Sequence, residues 1–250
     1  MILRRLTQHI KEQNWFAVCL DFVIVIFGIL IAFQITNWSA ARQDNLIYEQ
    51  ARTRVIEEAR ANLLNSQSFL KRASDYQQAA IEVIRDFEAC NEENGAQARL
   101  IRNIQPLRFI LGIDVRDDAI DLMLTSDAFL DNISPEDRSI FSVYAENIST
   151  VATNSKFGES FSLTRPQLQD IDVFRRIIDG DGLSGLAALS LNVSYEEACN
   201  NSALSSLIFD RFELSNYLSK NAKDLSRASR ELLIKLGETP PEASLLETQP

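Results

Sequence analysis

An apolar run near the N-terminus constrains the fold of this chain more than any other feature. Residues 16–33 carry only one charge, Asp21, and their 18 positions approach the length of helix that crosses a bilayer. Trp15 and Trp38 bracket the run, and a helix would separate them by about 34 Å, so that each lies at a membrane interface, where Trp is enriched. We therefore predict one transmembrane helix over residues 15–38.

The basic residues that flank this run predict its orientation. The N-terminal flank carries Arg4, Arg5 and Lys11, whereas residues 36–50 carry only Arg42. Short flanks rich in Arg and Lys remain in the cytoplasm. We expect a cytoplasmic N-terminus and, in a bacterium, an inner-membrane helix with the rest of the chain in the periplasm.

A cleaved signal peptide is the alternative interpretation of the same run. Residues 22–33 have the length of its apolar region, and Ser39-Ala40-Ala41 supplies small residues at a cleavage site. Asp21 weakens the apolar region, however, and Trp38 stands just before the supposed cut. Both features favour an uncleaved anchor.

Beyond the run, two long segments have the periodicity of helices. From Ala40 to about Cys90 no Pro or Gly interrupts the chain, and apolar residues recur mostly at steps of three and four. Such steps are typical of a helix and approach the repeat of a supercoiled seam. A second long helix is predicted from Glu197 to Leu236. The first seam contains Ile56, Ala59, Leu63, Leu70, Ala73, Tyr76, Ala80, Val83 and Phe87, and the second, interrupted by Arg211 and Ser215, contains Leu204, Ile208, Leu218, Ala222, Leu225, Leu232 and Leu236.

Shorter elements are predicted between these two helices. Residues 98–113 form a segment broken by a proline, and a short helix follows over residues 115–125. Ser134 reads as an N-cap before Pro135 and two acids, which predicts a helix to about Asn154. A further helix is expected over residues 166–179, where Gly180 would end it.

Together these segments predict an all-α protein. The transmembrane helix continues into the first long helix of an up-and-down extracytoplasmic helical bundle, and the last helix returns antiparallel to it. The expected organisation is a cytoplasmic tail over residues 1–14, the transmembrane helix over 15–38, the periplasmic bundle over 39–237 and a flexible C-terminal tail over 238–250.

One face of the predicted membrane helix is small and acidic. At 100° per residue, Asp21, Gly28 and Ala32 fall on one stripe, and the last two form a small-xxx-small pair that lets two helices approach closely. Asp21 has three interpretations: a carboxylate that reaches water or Lys11 at the membrane boundary, a contact with a partner helix, or a proton carrier. Cys19 is interpreted as a small apolar residue of the membrane helix with no further role.

The residues around this stripe resemble a known group. The run Gly28-Ile-Leu-Ile-Ala32, followed by Gln34-Ile35 and Asn37-Trp38, is similar to the acidic-x6-G-I-L-I-A-x-Q-I-x-N-W motif of an uncharacterised family of bacterial single-pass membrane proteins, a domain of unknown function. Residues 117–148 resemble the group's second shared region more loosely. Position 21 is Asp where the group would have Glu, which keeps the charge but shortens its reach. The resemblance implies membrane location and a helical extracytoplasmic domain, and it implies no activity.

The predicted bundle places two cysteines close together. Cys90 ends the outgoing helix and Cys199 begins the returning one, so both should lie at the membrane-distal end. An oxidising periplasm would favour a disulfide between them. Two buried, unpaired thiols are the alternative.

The residue content excludes several kinds of site. His9, on the cytoplasmic tail, is the only histidine, which excludes a Ser-His-Asp triad and a His-rich metal centre in the outer domain. The Asp-Gly-Asp-Gly run at 179–182 lacks the further acids of an EF-hand loop. Calcium binding at this run is the alternative to a helix cap at Gly180. Glutamate pairs such as Glu57-Glu58 are interpreted as solvated helix faces or caps, with paired-carboxylate hydrolysis as the alternative. We predict no enzyme, metal or cofactor.

Charge narrows the expected partners. Residues 42–250 carry 22 basic and 33 acidic side chains, a net charge of −11. Such a surface repels phosphate backbones, which argues against nucleic acid as a partner. The expected partners are the lipid bilayer and either a second copy of the chain or another membrane protein.

Three functions fit these features. The first is a membrane-anchored bundle that acts as a protein-interaction or scaffold module. The second is a ligand-sensing extracytoplasmic bundle. The third is an accessory subunit of an ion-coupled membrane complex that uses Asp21.

Retention of the N-terminal segment separates the anchor from the signal peptide. We expect the mature protein to keep residues 1–41 and to stay in the membrane fraction, because Asp21 and Trp38 favour an uncleaved helix. Intact mass spectrometry of the purified protein measures this. A dominant species that begins after Ala41 would contradict the anchor.

Overall fold

A single helix joins the apolar run to the rest of the protein. Helix α1 extends from Trp15 to Ala89 without a break, and its 75 residues span about 110 Å. The prediction of an all-α protein whose apolar N-terminal helix continues into a long bundle helix is confirmed. The computed structural model describes residues 15–92, 95–108, 112–130, 133–177 and 188–241.

The other elements follow in chain order. They are α2 (Ala96–Leu107), α3 (Asp118–Thr125), α4 (Asp127–Leu130), α5 (Pro135–Thr164), a 3₁₀ turn (Leu168–Asp170), β1 (Phe174–Ile177), β2 (Ala188–Leu191), α6 (Tyr195–Cys199) and α7 (Ser202–Lys235).

Helix α7 returns antiparallel along α1. At one end, Arg52 Nη2 donates to the carbonyl oxygen of Leu236 at 3.0 Å. At the other end, the hydroxyl of Tyr195, just before α7, donates to the carbonyl oxygen of Asp86 at 3.2 Å. Helix α5 packs against α7, where Gly158 lies so close to Leu218 that a Cβ would be 3.1 Å from its methyl carbon. These three helices form the framework of the bundle.

Two buried clusters fill the bundle. The cluster nearer the apolar run joins α1, α3, α5 and α7, whereas the distal cluster joins α1, α2, the hairpin and the start of α7. Members of the first include Val55, Leu63, Phe69, Met123, Phe141, Ile148, Leu218, Leu225 and Leu232, and members of the second include Tyr76, Val83, Leu100, Ile104, Leu168, Leu189, Leu204 and Ile208.

Helix α5 is longer than the sequence pattern predicted. Ser134 caps it as expected, since its hydroxyl accepts from the backbone N–H of Asp137 at 3.0 Å. The predicted end at Asn154 is wrong, because the helix continues past Gly158 to Thr164. Close packing on Leu218 accounts for a glycine inside the helix.

The predicted helix over residues 166–179 is also wrong. The described part of this region forms the 3₁₀ turn and strand β1, which pairs antiparallel with β2 from Phe174–Leu191 to Ile177–Ala188. Val173 and Phe174 are buried in the distal cluster, so the hairpin closes that end of the core. The expected stop at Gly180 and the run at 179–182 lie outside the described residues.

The last predicted helix is divided in two. In α6, Ser194 and Glu197 form a capping box, and a break at Asn200 and Asn201 separates α6 from α7. The Asn201 side chain accepts from the backbone N–H of Leu204 at 2.9 Å and so caps α7. Two consecutive caps therefore replace the single helix start expected at Glu197.

The two cysteines of the bundle meet at the end of α1 farthest from the apolar run. Cys90 follows α1 in the left-handed conformation, with φ at 39°, and its N–H donates to the carbonyl oxygen of Asp86. Its Cα lies 5.8 Å from that of Cys199, and the two sulfurs form a disulfide. Cys19 is a free, exposed thiol on the apolar run.

Loss of this disulfide should destabilise the bundle. The bond closes a loop with a sequence separation of 109. By lowering the chain entropy of the unfolded state, such a loop stabilises the folded state by about 4 to 5 kcal/mol. We expect Cys199→Ser to lower the free energy of unfolding by about that amount, measured by urea denaturation in detergent. Cys19→Ser is the control and should leave the stability unchanged; equal stability of the Cys199→Ser and wild-type proteins would contradict the prediction.

Candidate functional site

The first part of α1 has no protein contact around it. Among the described side chains, every residue from Cys19 to Ile47 is exposed, including Phe22 at 65% and Phe33 at 62%. A contiguous apolar surface of this size is unusual for a soluble protein and typical of a membrane or protein contact. Within the described residues, one helix near the N-terminus is long and apolar enough to cross a membrane.

The predicted contact face of this helix is open. A Cβ placed on Gly28 would meet no atom within 4 Å, and Ala32 one turn later is exposed as well. The backbone of Asp21 belongs to α1, but its side chain lies outside the described part of the structure. The structure therefore leaves the three interpretations of Asp21 as predictions.

The other motif residues are exposed at the end of the apolar run. Gln34, Asn37 and Trp38 are all exposed, with Trp38 at 65%. The guanidinium of Arg42 lies 5.8 Å from the centroid of the Trp38 ring, within the range of a cation–π contact. This contact follows from the i, i+4 spacing on a helix.

The bundle itself begins at Tyr48, the first described buried residue of α1. Residues 39–47 are helical and exposed, so they form a bare stretch of about 14 Å between the apolar run and the core. Because the helix has no break there, the direction of the apolar run fixes the direction of the bundle axis.

A polar cluster on α1, which we call the clasp, holds an extended segment of the chain. The clasp consists of Glu58, Asn62 and Asn65, and the segment is residues 112–117 with the start of α3. The Asn62 side-chain amide donates to the carbonyl oxygen of Arg116 at 2.7 Å, and its oxygen accepts from the N–H of Arg116 at 2.8 Å. This pair of bonds satisfies the backbone N–H and C=O of Arg116, which belongs to no helix or strand.

The other two clasp residues extend this contact in both directions. Asn65 Nδ2 donates to the carbonyl oxygen of Asp114 at 3.1 Å and to its carboxylate at 3.0 Å. The Glu58 carboxylate accepts from the N–H of Ala119 at 2.7 Å and from that of Ile120 at 3.3 Å. It thereby caps α3, whose own N-cap residue makes no side-chain cap bond.

Glu58 is the titratable member of the clasp, and burial shifts its pKa. Its residue surface is 7% exposed, and desolvation by burial raises its pKa from 4.5 to about 7. The backbone hydrogen bonds from Ala119 and Ile120 lower that pKa, and the nearby charges of Asp117 and Asp118 raise it. Glu57 is exposed, as expected for a solvated helix face, whereas Glu58 is buried and serves as a cap, although for α3 rather than for its own helix.

A cavity of about 370 Å³ lies on the other side of the extended segment, against α5. The Ser155 hydroxyl accepts from the N–H of Ile113 at 3.1 Å and donates to its carbonyl oxygen at 3.2 Å, so α5 also holds the segment. The cavity is lined by Gly112, Ile113, Asp114, Val115, Asp117, Ala152, Ser155, Lys156 and Glu159.

No sequence pattern pointed directly to this cavity. Residues 112–113 were predicted to end the segment broken by proline, and residues 115–117 were predicted to begin the short helix, which in the structure starts only at Asp118. Glu58, Asn62 and Asn65 do recur at steps of four and three within the apolar seam, which places polar side chains on the buried face. Among the described residues, no three His, Cys, Asp or Glu side chains are grouped to hold a metal ion.

Comparisons with known proteins add no assignment. The chain matches no protein-family model, no curated protein and no solved structure. The resemblance carried by residues 21–38 therefore stays a prediction from the residues themselves.

The buried carboxylate predicts a pH dependence of stability. Because the folded pKa of Glu58 is about 7 and its ordinary value is 4.5, the folded state binds this proton more tightly than the unfolded state. The contribution of Glu58 to stability is therefore fully present below about pH 4.5 and is lost as the pH rises to about 7. Across that pH interval, the free energy of unfolding of the wild type should fall by on the order of 3 kcal/mol relative to that of Glu58→Gln.

Chemical denaturation at a series of pH values measures this difference. Glu57→Gln is the matched control, since that neighbour is exposed and its curve should follow the wild type. Parallel stability curves for the wild type and Glu58→Gln would show that the Glu58 proton is not bound more tightly on folding.

Proposed function

We propose that this protein is a single-pass, membrane-anchored helical bundle that acts as a protein-interaction or scaffold module. The observation that carries the proposal is the unbroken helix α1, exposed and apolar in its first part and buried in the bundle core in its second. Lipid covers the first part, and a second membrane helix contacts its small face. The protein has no catalytic role in this proposal.

Charge and cysteine chemistry support the proposed location. The basic N-terminal flank favours a cytoplasmic N-terminus in a bacterial inner membrane, with the bundle in the periplasm. A disulfide between Cys90 and Cys199 fits an oxidising compartment, since disulfides are rare in the cytosol. The acidic outer domain would remain soluble beside the anionic lipid surface.

The proposed contact face is the stripe of Gly28 and Ala32, with Asp21 on the same side. Lipid provides no hydrophobic drive for helix association, so close backbone packing and polar contacts stabilise helix pairs in a bilayer. The open space around Gly28 allows such an approach. An ionisable residue on that stripe is most favourable where it faces protein rather than lipid.

A helix pair in the membrane would position two bundles. From Trp38 to Ala89, α1 extends about 77 Å, so its far end stands well away from the lipid surface. Because the helix is continuous, association at Gly28 fixes the separation and direction of both bundles. This is the geometry of a spacer or scaffold.

Site-specific cross-linking tests the contact face. We expect Gly28→Cys in a Cys19→Ser background, labelled with a thiol-reactive photo-cross-linker, to cross-link in membrane vesicles, either to a second copy or to another membrane protein. Ile26→Cys in the same background is the matched control, because it lies at similar depth and about 160° around the helix from Gly28. Cys90 and Cys199 do not interfere, since they are already bonded.

The size of the cross-linked product then identifies the partner. A band at twice the mass of the chain indicates self-association, and a different mass indicates another subunit. Equal cross-linking at both positions, or none at either, would contradict a contact through the Gly28 face.

A further inference from the structure

The cavity beside residues 112–117 carries opposite charges that do not neutralise one another. Lys156 and Glu159 both line it from α5, and Asp117 lines it from the segment. Among the described residues, Lys156 forms no ion pair within 4.0 Å, and neither do Glu159 and Asp117. The charges of Lys156, Glu159 and Asp117 are therefore not neutralised by one another and remain available to a ligand in the cavity.

The same cavity offers free backbone groups. Val115 lines it, and its N–H and C=O make no hydrogen bond to any described residue. The neighbouring peptide groups are occupied, since Ile113 bonds to Ser155 and Arg116 bonds to Asn62. The N–H and C=O of Val115 therefore have no partner among the described residues, whereas the other half of each of their two peptide units is bonded to α1.

Gly112 allows a carboxylate to lie against the cavity wall. A Cβ at this position would be 2.6 Å from Glu159 Oε1, so the absence of a side chain at Gly112 provides the space that the Glu159 carboxylate occupies. The carboxylates of the cavity are not grouped as metal ligands among the described residues. A spread arrangement of this kind suits an organic ligand better than a bare cation.

From these observations we infer that the cavity binds a free α-amino acid. Its ammonium group lies near the carboxylates of Glu159 and Asp117, its carboxylate contacts the ammonium of Lys156, and the backbone N–H or C=O of Val115 bonds to one of these two ligand groups. The volume of about 370 Å³ falls in the range of small-molecule sites. This inference is independent of the proposed membrane contact.

Ligand binding would strengthen the contact between α5 and α1. The segment lies between the two helices, held by Asn62 and Asn65 on α1 and by Ser155 on α5. A ligand that contacts both Lys156 and Val115 adds a bridge across the same gap. Because it binds only the folded bundle, it raises the unfolding temperature.

Thermal-shift measurements followed by calorimetry test the inference on the full chain in detergent micelles. The probes are the common L-amino acids, each at millimolar concentration, together with the N-acetyl and amide derivatives of the strongest binder. We expect at least one amino acid to raise the unfolding temperature and both derivatives to bind about tenfold more weakly or worse, because each lacks one charge.

Variants assign the binding to this cavity. Lys156→Met and Glu159→Gln change exposed side chains, so both should fold, and both should weaken binding by about tenfold or more. Lys220→Met, at an exposed position on α7, is the matched control and should bind like the wild type. Binding by none of the amino acids, equal affinity in the Lys156→Met protein, or stabilisation by calcium chloride alone would overturn the inference.

Discussion

The unbroken backbone hydrogen-bond ladder of α1 is the constraint on which the rest of the structure depends. A helix satisfies all of its central peptide groups internally, which is the condition for crossing lipid, and the same ladder continues into a core where those groups are equally remote from water. Between Trp15 and Ala89 the only glycine is Gly28 and there is no proline. Every other described element is therefore placed relative to one rod.

The clasp shows how a helix can hold an irregular segment that has no secondary structure of its own. Asn62 supplies one donor and one acceptor to Arg116, and Glu58 supplies two acceptors to the start of α3. A helix of eight residues is too short to be stable alone, so α3 depends on this external cap and on burial of Ile120 and Met123. The cost is a buried carboxylate whose pKa rises to about 7.

The long periodic segments could be predicted from the sequence, whereas the shorter contacts could not. Apolar residues recur at steps of three and four in α1 and α7, and Ser134-Pro135 marks the start of α5. These local patterns predict helices that the structure contains. The predicted helix over residues 166–179 was wrong because a strand as short as β1 forms through its pairing with β2 and the burial of Phe174, not through local preference. The cavity was not predicted because Lys156 and Asp117 belong to elements far apart in the chain.

The pair formed by Trp38 and Arg42 has a consequence for the vertical position of the chain in the proposed bilayer. The indole prefers the level where acyl chains meet headgroups, and a guanidinium one turn farther out prefers the phosphate level. Sliding the helix by one turn, about 5.4 Å, would move each group out of its layer at the same time. In the proposed membrane the two side chains would together oppose sliding of the helix, and the exposed helix of residues 39–47 would keep the bundle at a constant height above the lipid.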